Sequence, residues 1–322
     1  MTVSRVITGN PSVRDSTRER VLAAVEATGY SPNVAARHLA GARQVRLAMI
    51  YAQPGAYIAE LMFGGLEQVR RHNAQFIVEK CPDTRDAATE VARLIEEGAD
   101  GLMIAPPLAN APAVLDYLES HDVPAVVITS GRVRERVCSV GVDARAAAFE
   151  MTRHLADLGH RRIGFIAGHP GHATSRHRLE GYREALSQAG FAADDSLVAE
   201  GRFTYRSGLE AAEKLLGLDE RPTAIFASND EMAAAVVASA IRHGLDVPAD
   251  LSVTGFDDTP LASAIWPPLT TIHVPIADLA KAAIELLMEK IARRAAGEPF
   301  DSRHDTLEYA LVRRQSDGPP RA

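Results

Sequence analysis

Polar side chains follow two of the short apolar runs in the second half of the chain. Asn229 comes shortly after the run 224–227, and Asp257 comes directly after the run 252–256. If these runs are parallel strands, both side chains lie at the strands' carboxyl ends, where the ligands of such sheets bind. A carboxylate accepts hydrogen bonds from vicinal hydroxyl groups, and an amide both donates and accepts. Such residues are also often helix caps or halves of surface ion pairs, and both interpretations stay open here. We expect Asp230 to cap the helix that follows.

Little else in the chain predicts catalysis or metal binding. Four histidines occur close together: His160, His169, His172 and His177. Their separations of nine, three and five residues do not match a zinc pattern, so we expect a solvated loop with one histidine at a helix end. The run 164–168 lacks the third glycine of a dinucleotide fingerprint, and neither a Gly-x-Ser-x-Gly elbow nor a phosphate loop is present. We therefore expect no metal, no cofactor and no enzymatic activity.

The elements that must position these side chains alternate regularly between short apolar runs and longer amphipathic stretches. The runs predicted as strands are 47–51, 76–78, 101–104, 125–128, 140–142, 163–166, 196–199, 224–227 and 251–256. The stretches predicted as helices are 58–71, 84–97, 111–121, 145–158, 175–189, 206–216 and 230–243. This alternation predicts an α/β fold with parallel sheets covered by helices on both faces. Because the pattern restarts after residue 142, we predict two doubly wound subdomains with a cleft between them.

The composition favours a cytoplasmic globular protein. The 322 residues are 46% hydrophobic and 24% charged, and no apolar run approaches the roughly 18 residues of a membrane helix. Cys81 and Cys138 have no CxxC spacing and are expected to stay reduced. The net charge of −7 is uneven, because residues 1–46 carry seven Arg against three acidic residues and are net basic. A basic head on an acidic body favours contact between the head and phosphate groups.

The first forty residues predict two helices. Ser16 and Glu19 form a capping box before an apolar-periodic stretch, which predicts a helix from about 16 to 28 that Gly29 ends. Pro32 and Asn33 can start a second helix that reaches about Ala40. With about two turns, the second helix is marginal in isolation and needs a partner to order it. At the other end, the last ten residues are rich in Arg, Pro and Asp and predict a frayed tail.

Short motifs along the whole chain resemble a known family. They are Thr2-Val3-Ser4-Arg5-Val6, Tyr30-Ser31-Pro32-Asn33, Leu158-Gly159-His160-Arg161, Arg178-Leu179-Glu180-Gly181-Tyr182, Ser228-Asn229-Asp230, Gly255-Phe256-Asp257-Asp258 and Pro267-Pro268-Leu269-Thr270-Thr271. In this order and spacing the chain resembles the lactose-repressor (LacI/GalR) family of bacterial transcription factors. The resemblance implies a partial helix-turn-helix headpiece, a hinge helix, and a two-lobed core similar to the periplasmic sugar-binding proteins.

The resemblance also implies a set of DNA-binding residues: Thr2, Ser4, Arg5, Asn33 and Leu39. The first three match the recognition helix, Asn33 the opening of the hinge helix, and Leu39 a wedge that enters the minor groove. Relatives carry another helix before the recognition helix, whereas this sequence starts inside the latter. Two explanations stay open: a start codon placed too far downstream, or a genuine truncation.

Effector-binding residues follow from the same resemblance: Tyr57, Asp143, Arg178, Phe203, Asn229 and Asp257. Arg178 would hold effector oxygens, and Phe203 and Tyr57 would pack against a flat ring. Ala56 and Ile58 replace a proline and an aromatic residue of the family pattern beside Tyr57, and Val274 replaces a polar residue. Trp266, the only tryptophan, is expected to pack between the lobes.

The sequence therefore predicts a ligand-responsive transcriptional regulator, a repressor that binds operator DNA as a homodimer. The expected effector is a sugar or sugar derivative, although a nucleobase or a sugar acid would use the same groups, and its sign as inducer or corepressor stays open. The expected domains are a headpiece with hinge at 1–45 and a core at 46–322, with a first lobe of about 46–142 plus 274–300 and a second of about 143–273 plus 301–322. The alternatives are a truncated sugar-binding protein without a DNA role and, less favoured, a Rossmann-type enzyme.

Overall fold

The computed structural model describes residue 6 and residues 14–28, 44–129, 134–192 and 194–321. The chain divides into two compact units, residues 1–44 and 45–322. In the first unit, helix α1 spans Asp15–Thr28, which confirms the predicted helix. The carbonyl of Arg14 accepts hydrogen bonds from the backbone of Thr17 and Arg18, so the helix starts before Ser16 and the predicted capping position is wrong. The predicted DNA-binding residues Thr2, Ser4, Arg5, Asn33 and Leu39 lie outside the described residues.

The second unit alternates strands and helices as predicted. Its first half contains β1 (Arg46–Tyr51), α2 (Ala56–Arg71), β2 (Gln75–Lys80), α3 (Ala87–Glu96), β3 (Gly101–Ile104), α4 (Pro112–Ser120), β4 (Ala125–Thr129) and β5 (Cys138–Gly141). The second half contains α5 (Ala144–Asp157), β6 (Ile163–Ala167), α6 (Ala173–Gln188), β7 (Val198–Glu200), α7 (Tyr205–Leu216), β8 (Ala224–Ala227), α8 (Asp230–Arg242), β9 (Ser252–Thr254) and α9 (Pro260–Ala264). The chain ends with β10 (Thr271–His273), α10 (Ile276–Ala296), β11 (His304–Thr306) and β12 (Ala310–Val312).

Two parallel sheets form the centres of two lobes. The first sheet has the strand order β11-β5-β4-β3-β1-β2, and the second has the order β7-β6-β8-β9. Every pairing within these two sheets is parallel, which confirms the predicted α/β fold with two doubly wound subdomains. The strand β11 differs from the expected lobe boundary, because it pairs with β5 of the first sheet although it lies beyond residue 301.

Alternate residues of the first sheet pack on opposite faces. Leu47 and Met49 belong to the core beneath α2 and α10, whereas Ala48 and Ile50 belong to the core beneath α3 and α4. Successive side chains of a strand point to opposite faces, so a strand covered on both sides must be apolar throughout. This explains why β1 reads as a continuous apolar run rather than as an alternating one.

The chain crosses between the lobes three times, after β5, after β10 and after β11. At the crossings β10 and β12 pair antiparallel, with Ile272 opposite Leu311. Single parallel bridges join β10 and its lead-in to the second lobe, between Thr254 and Thr270 and between Asp257 and His273. Three adjacent connections permit a change in the relative orientation of the lobes while each sheet stays intact.

The carboxyl-terminal segment is anchored, so the predicted frayed tail is wrong for residues 316–318. Ser316 is fully buried, and its hydroxyl donates to the carbonyl of Val253. Asp317 Oδ2 lies 2.6 Å from His154 Nε2, and the carbonyl of Gly318 lies 2.8 Å from His160 Nε2. These bonds bind the end of the chain across the second sheet.

Helices α5 and α6 meet at their closest point beside Gly181. A methyl group added there would lie 2.1 Å from the carbonyl oxygen of Arg145 on α5. We expect Gly181→Ala to lower the free energy of unfolding by about 1–3 kcal/mol through overpacking, although alanine favours a helix by roughly 1 kcal/mol. Urea unfolding measures this change. Ser187→Ala, at an exposed position of the same helix, should stay within about 0.5 kcal/mol of the parent. Equal stability of the two variants would contradict the close approach.

Candidate functional site

An arginine–carboxylate pair lies at the carboxyl ends of the second sheet. Arg178, from α6, donates from Nη2 to Asp257 Oδ1 at 3.2 Å, and its Nη1 donates to the carbonyl of Ser228. Arg178 and Asp257 are each only 5% exposed. Burial lowers the pKa of Arg178, and the neighbouring carboxylate of Asp257 acts in the opposite direction. The pair therefore fixes a guanidinium and a carboxylate side by side in a nearly water-free position.

Two aromatic rings surround the guanidinium. The Cζ atom of Arg178 lies 3.5 Å from the ring centroid of Phe256 and 5.9 Å from that of Phe203. A guanidinium stacked on an aromatic face is stabilised by the ring's quadrupole, and the effect increases where water is excluded. The rings thus hold the orientation of Arg178 as well as compensating part of its desolvation.

The backbone at Asp257 adopts a conformation that side chains other than glycine rarely take, with a φ of 102°. Its N–H donates to the carbonyl of Ile272 at 2.9 Å, and its carbonyl accepts from Val274 at 3.3 Å. Burial raises the pKa of Asp257 to about 6, with Arg178 opposing the rise and Glu231 adding to it. Strained backbone of this kind persists where the surroundings hold it, and it is frequent at binding sites.

Tyr57 brings the first lobe to this pair. It lies in the first turn of α2, packs against the shared apolar core, and interacts electrostatically with both Asp257 and Arg178. Burial, with a smaller contribution from Asp257, raises the pKa of the Tyr57 hydroxyl. Tyr57, Arg178 and Asp257 thus meet between the lobes, although they lie 79 to 200 residues apart in the sequence.

Phe203 forms the second wall of the site together with His172. The two rings stack with centroids 5.4 Å apart, and His169 lies 5.0 Å from His172. Burial, and then the neighbouring His169, lowers the pKa of His172 to about 4. His172 is therefore a neutral aromatic surface near neutral pH. The expectation of a solvated histidine loop holds for His169, which is exposed, but it is wrong for His160, which is buried, and His172 is half-buried.

Two of the predicted effector residues act as helix caps. Asn229 Oδ1 accepts from the backbone of Met232 at 3.0 Å, and its Nδ2 donates to the carbonyl of Phe203 at 3.0 Å. Asn229, not Asp230, therefore caps α8, and the prediction for Asp230 is wrong. Asp143 accepts from the backbone of Ala146 at 2.9 Å and caps α5 from an exposed position. Both follow strand ends, but their capping bonds already use part of their capacity to form hydrogen bonds with a ligand.

Asp230 is instead a buried brace behind the site. Its Oδ2 accepts from the backbone and the hydroxyl of Thr259 at 2.7 and 2.9 Å, and its Oδ1 accepts from the hydroxyl of Thr271 at 2.6 Å. Burial, and then the charge of Asp257, raises the pKa of Asp230 to about 7. These bonds join the start of α8 to the lead-in of α9 and to β10.

Two family models match separate parts of the sequence. The model of bacterial regulatory proteins of the lacI family matches residues 1–33, and that of the periplasmic binding protein-like domain matches residues 152–316. Catabolite control protein A of Priestia megaterium is 35% identical over 98% of this chain and 94% of its own length. The transcriptional regulator AscG of Escherichia coli K12 is 32% identical over the same shares. This chain belongs to the LacI family.

Solved structures of transcriptional regulators share the fold. A transcriptional regulator CelR in complex with cellobiose superposes with a TM-score of 0.77 at 30% identity, over 97% of this chain and 94% of that one. The regulator CcpA of Lactococcus lactis gives a TM-score of 0.76 at 23% identity, which supports the fold alone. In the part of the chain that the structure describes, no group of three or more His, Cys, Asp and Glu side chains could hold a metal ion, and no helix has the length and apolarity to cross a membrane.

Sequence analysis missed several residues of this LacI-family cleft. The hydroxyls of Ser175 and Ser228 and the Nε of Arg178 are buried and have no hydrogen-bond partner among the described residues. Ser175 lies three residues before Arg178, on the same face of α6, and this spacing was a usable signal. Trp266, expected to pack between the lobes, is 77% exposed, so that prediction is wrong. The unpaired groups give the site further hydrogen-bonding capacity beside Arg178.

Removal of Arg178 should make stability depend on pH in a defined direction. At about pH 8, Arg178→Ala leaves the Asp257 carboxylate buried without its cation, and we expect a loss of about 3–5 kcal/mol. The pKa of Asp257, already about 6, should rise further. Near about pH 5 the folded variant binds a proton there, so the loss should be smaller. Urea unfolding at both pH values measures the difference.

The control repeats the Arg178→Ala substitution in a protein that already carries Asp257→Asn. The double variant Arg178→Ala/Asp257→Asn lacks the Asp257 carboxylate and keeps Asp230 as in the parent, so its loss of stability relative to Asp257→Asn alone should differ much less between the two pH values. A loss for Arg178→Ala that is the same at both pH values would show that the pair is not buried as described.

Proposed function

We propose that this LacI-family chain is a DNA-binding transcriptional regulator, a repressor rather than an enzyme, whose interlobe cleft binds a carbohydrate effector. The observation that carries the proposal is the buried Arg178–Asp257 pair beneath Tyr57 of the opposite lobe. A ligand held by groups from both lobes binds one lobe orientation better than another, which is the requirement for an effector-controlled switch. Catabolite control protein A and AscG, regulators at more than 30% identity, support the regulatory role.

The side chains of the cleft favour a polyhydroxylated ligand. Asp257 can accept from vicinal hydroxyls, while Arg178 and the serine hydroxyls of Ser175 and Ser228 can donate to ring and hydroxyl oxygens. Phe203 with its stacked His172 offers a flat apolar face of the kind on which sugar rings pack. The similarity to a CelR structure that contains cellobiose supports a sugar, and it makes cellobiose the first compound to test.

Asp257 also links the cleft to the connections between the lobes. Its side chain binds Arg178, while its backbone pairs with Ile272 and Val274 around β10. An effector that shifts Asp257 would therefore shift a crossing segment and the relative orientation of the lobes. We propose that residues 1–45 carry the headpiece and hinge, with Thr2, Ser4, Arg5, Asn33 and Leu39 toward operator DNA in the cytoplasm, and that residues 46–322 form the effector core.

Effector and operator binding should be coupled in the intact regulator. With an operator selected from random DNA, we expect binding that weakens steeply with salt, because phosphate contacts release counterions. If the effector changes the affinity of the protein for operator DNA, operator DNA must change the affinity for the effector by the same factor, typically about 5- to 150-fold. Fluorescence anisotropy with a panel of neutral sugars, cellobiose first, measures both quantities. Asp257→Asn should abolish the response to the sugar, and the operator affinity measured without sugar should be nearly unchanged.

The same experiment distinguishes the alternative. Sugar binding without any salt-dependent DNA binding would favour a sugar-binding protein that has no DNA role. Operator binding that no sugar changes would support the role as a DNA-binding regulator and contradict the proposal of a carbohydrate effector. Phe203→Ala serves as a second cleft variant, since loss of the stacking ring should weaken sugar binding without a change in charge.

We further infer that the regulator acts as a homodimer. Large apolar side chains are exposed on both lobes: Phe63 at 65% and Leu66 on α2, Ile241 at 63% on α8, and Trp266. Phe63 and Leu66 are three residues apart and lie on one face of their helix. Exposed apolar side chains on both lobes suit a two-fold pairing in which each copy covers the same surface of the other.

Charge placed on this surface should dissociate the dimer. We expect Phe63→Glu to shift the protein from dimer to monomer in sedimentation equilibrium, because a carboxylate would lose its hydration inside an apolar contact. Tyr205→Glu, at an exposed aromatic position of α7, is the matched control and should stay dimeric. Dimers of unchanged affinity in Phe63→Glu, with an unchanged circular dichroism spectrum, would place the interface elsewhere.

A further inference from the structure

The start of helix α2 faces the second lobe and has no cap of its own. Gly55 occupies the N-cap position, no described side chain caps the helix there, and its first turn contains no acidic residue. An α-helix of this length, 16 residues, carries a partial positive charge at its amino end. The amino end of α2 therefore favours a nearby negative charge.

That charge comes from the other lobe. Glu231 lies in the first turn of α8, and its Oε1 is 3.6 Å from the position of a methyl group added at Gly55. The side chain is partly exposed and forms no ion pair with a described residue. Glu231 also acts on the charge of Asp257, so the two second-lobe carboxylates lie near each other and near the first turn of α2, which contributes Tyr57.

We propose that Glu231 is an interlobe latch: its carboxylate stabilises the amino end of α2 across the cleft and holds the two lobes together. Glu231 is part of α8, so its interactions within the second lobe are the same whether the lobes are together or apart. Its contact with α2 exists only when the lobes are together. The interaction with α2 alone can therefore shift the balance between lobe arrangements.

The absence of a side chain at Gly55 is consistent with this arrangement. A methyl group there would be in ordinary contact with the carboxylate, whereas a longer side chain would compete with Glu231 for the same space. Any ligand that enters the cleft must compete with the latch or bind beside it. The latch thus favours one lobe arrangement through a contact of the chain with itself, and this property goes beyond the proposed function.

Pulsed electron spin resonance on the full chain tests the latch. Nitroxide labels on Ser120→Cys of the first lobe and Ser187→Cys of the second occupy exposed positions, and labelling should be selective because Cys81 and Cys138 are buried. We expect Glu231→Gln to lower the ratio of closed to open distances about two- to fivefold, the range for a charge at a helix end. Added salt should shift the parent in the same direction and Glu231→Gln much less.

The matched control is Glu220→Gln, which removes the same charge from the same lobe. Glu220 precedes β8 and lies beside Arg162, which precedes β6, so it is at the amino ends of these strands, whereas the cleft is at their carboxyl ends. It should leave the distances unchanged. A role of Glu231 limited to stabilising α8 would lower the melting temperature and leave the distance distribution as it was, and that result would overturn the proposal. An equal shift in Glu220→Gln would overturn it as well, because the effect would then come from net charge.

Discussion

The buried pair of Arg178 and Asp257 is the constraint on which the rest of the cleft depends. Taking two charges out of water costs several kcal/mol for each ion, and a pair is tolerated only when further bonds complete it. Here the carbonyl of Ser228 and the face of Phe256 complete Arg178, while the backbone of β10 holds Asp257. The strand ends β8 and β9 and the helix α6 must therefore keep their relative positions. A cleft built in this way keeps its shape, so movement is concentrated in the connections between the lobes rather than within the site.

The turn after β9 converts this rigidity into a link with the connections. Asp257 and the next residue, Asp258, have φ angles of 102° and 56°, so two successive side chains are held in a left-handed stretch of backbone. The first side chain points to Arg178. The second binds His273 of β10 at 3.1 Å and Arg314, just after β12, at 2.6 Å. Adjacent residues thus hold the cleft on one side and two crossing strands on the other, and the strained backbone prevents one from rotating without the other. This is a physical route for coupling, since both ends of the turn are fixed by named bonds.

The fold could be predicted from the hydrophobic periodicity of the sequence, because the strands are buried on both faces and the helices on one. Each predicted strand from 47–51 to 251–256 overlaps an observed one, and boundaries differ by a few residues at most. The residues of the site were harder to predict from the sequence. The sequence pattern could not tell Asn229 from Asp230 as a cap, because both are good capping residues and the choice depends on which side chain is drawn into the buried bonds with Thr259 and Thr271. Glu231 gave no signal at all, since its partner is a helix end more than 170 residues earlier in the chain. Trp266 could not be placed because apolar character alone does not separate an internal contact from an exposed one.

The charges in the cleft restrict the proposed effector more narrowly than the residue types alone do. Arg178 is already paired with Asp257, and His172, with its pKa lowered to about 4, carries no charge near neutral pH. Glu231 adds a further carboxylate without a described cation beside it. An anionic ligand would bring another negative charge into this low-dielectric space, and like charges there repel strongly. A neutral sugar meets no such penalty, because its hydroxyls donate to the carboxylates and accept from Arg178 and the serines. The balance of charges therefore favours an uncharged sugar over a sugar acid, although the side-chain types alone would suit either.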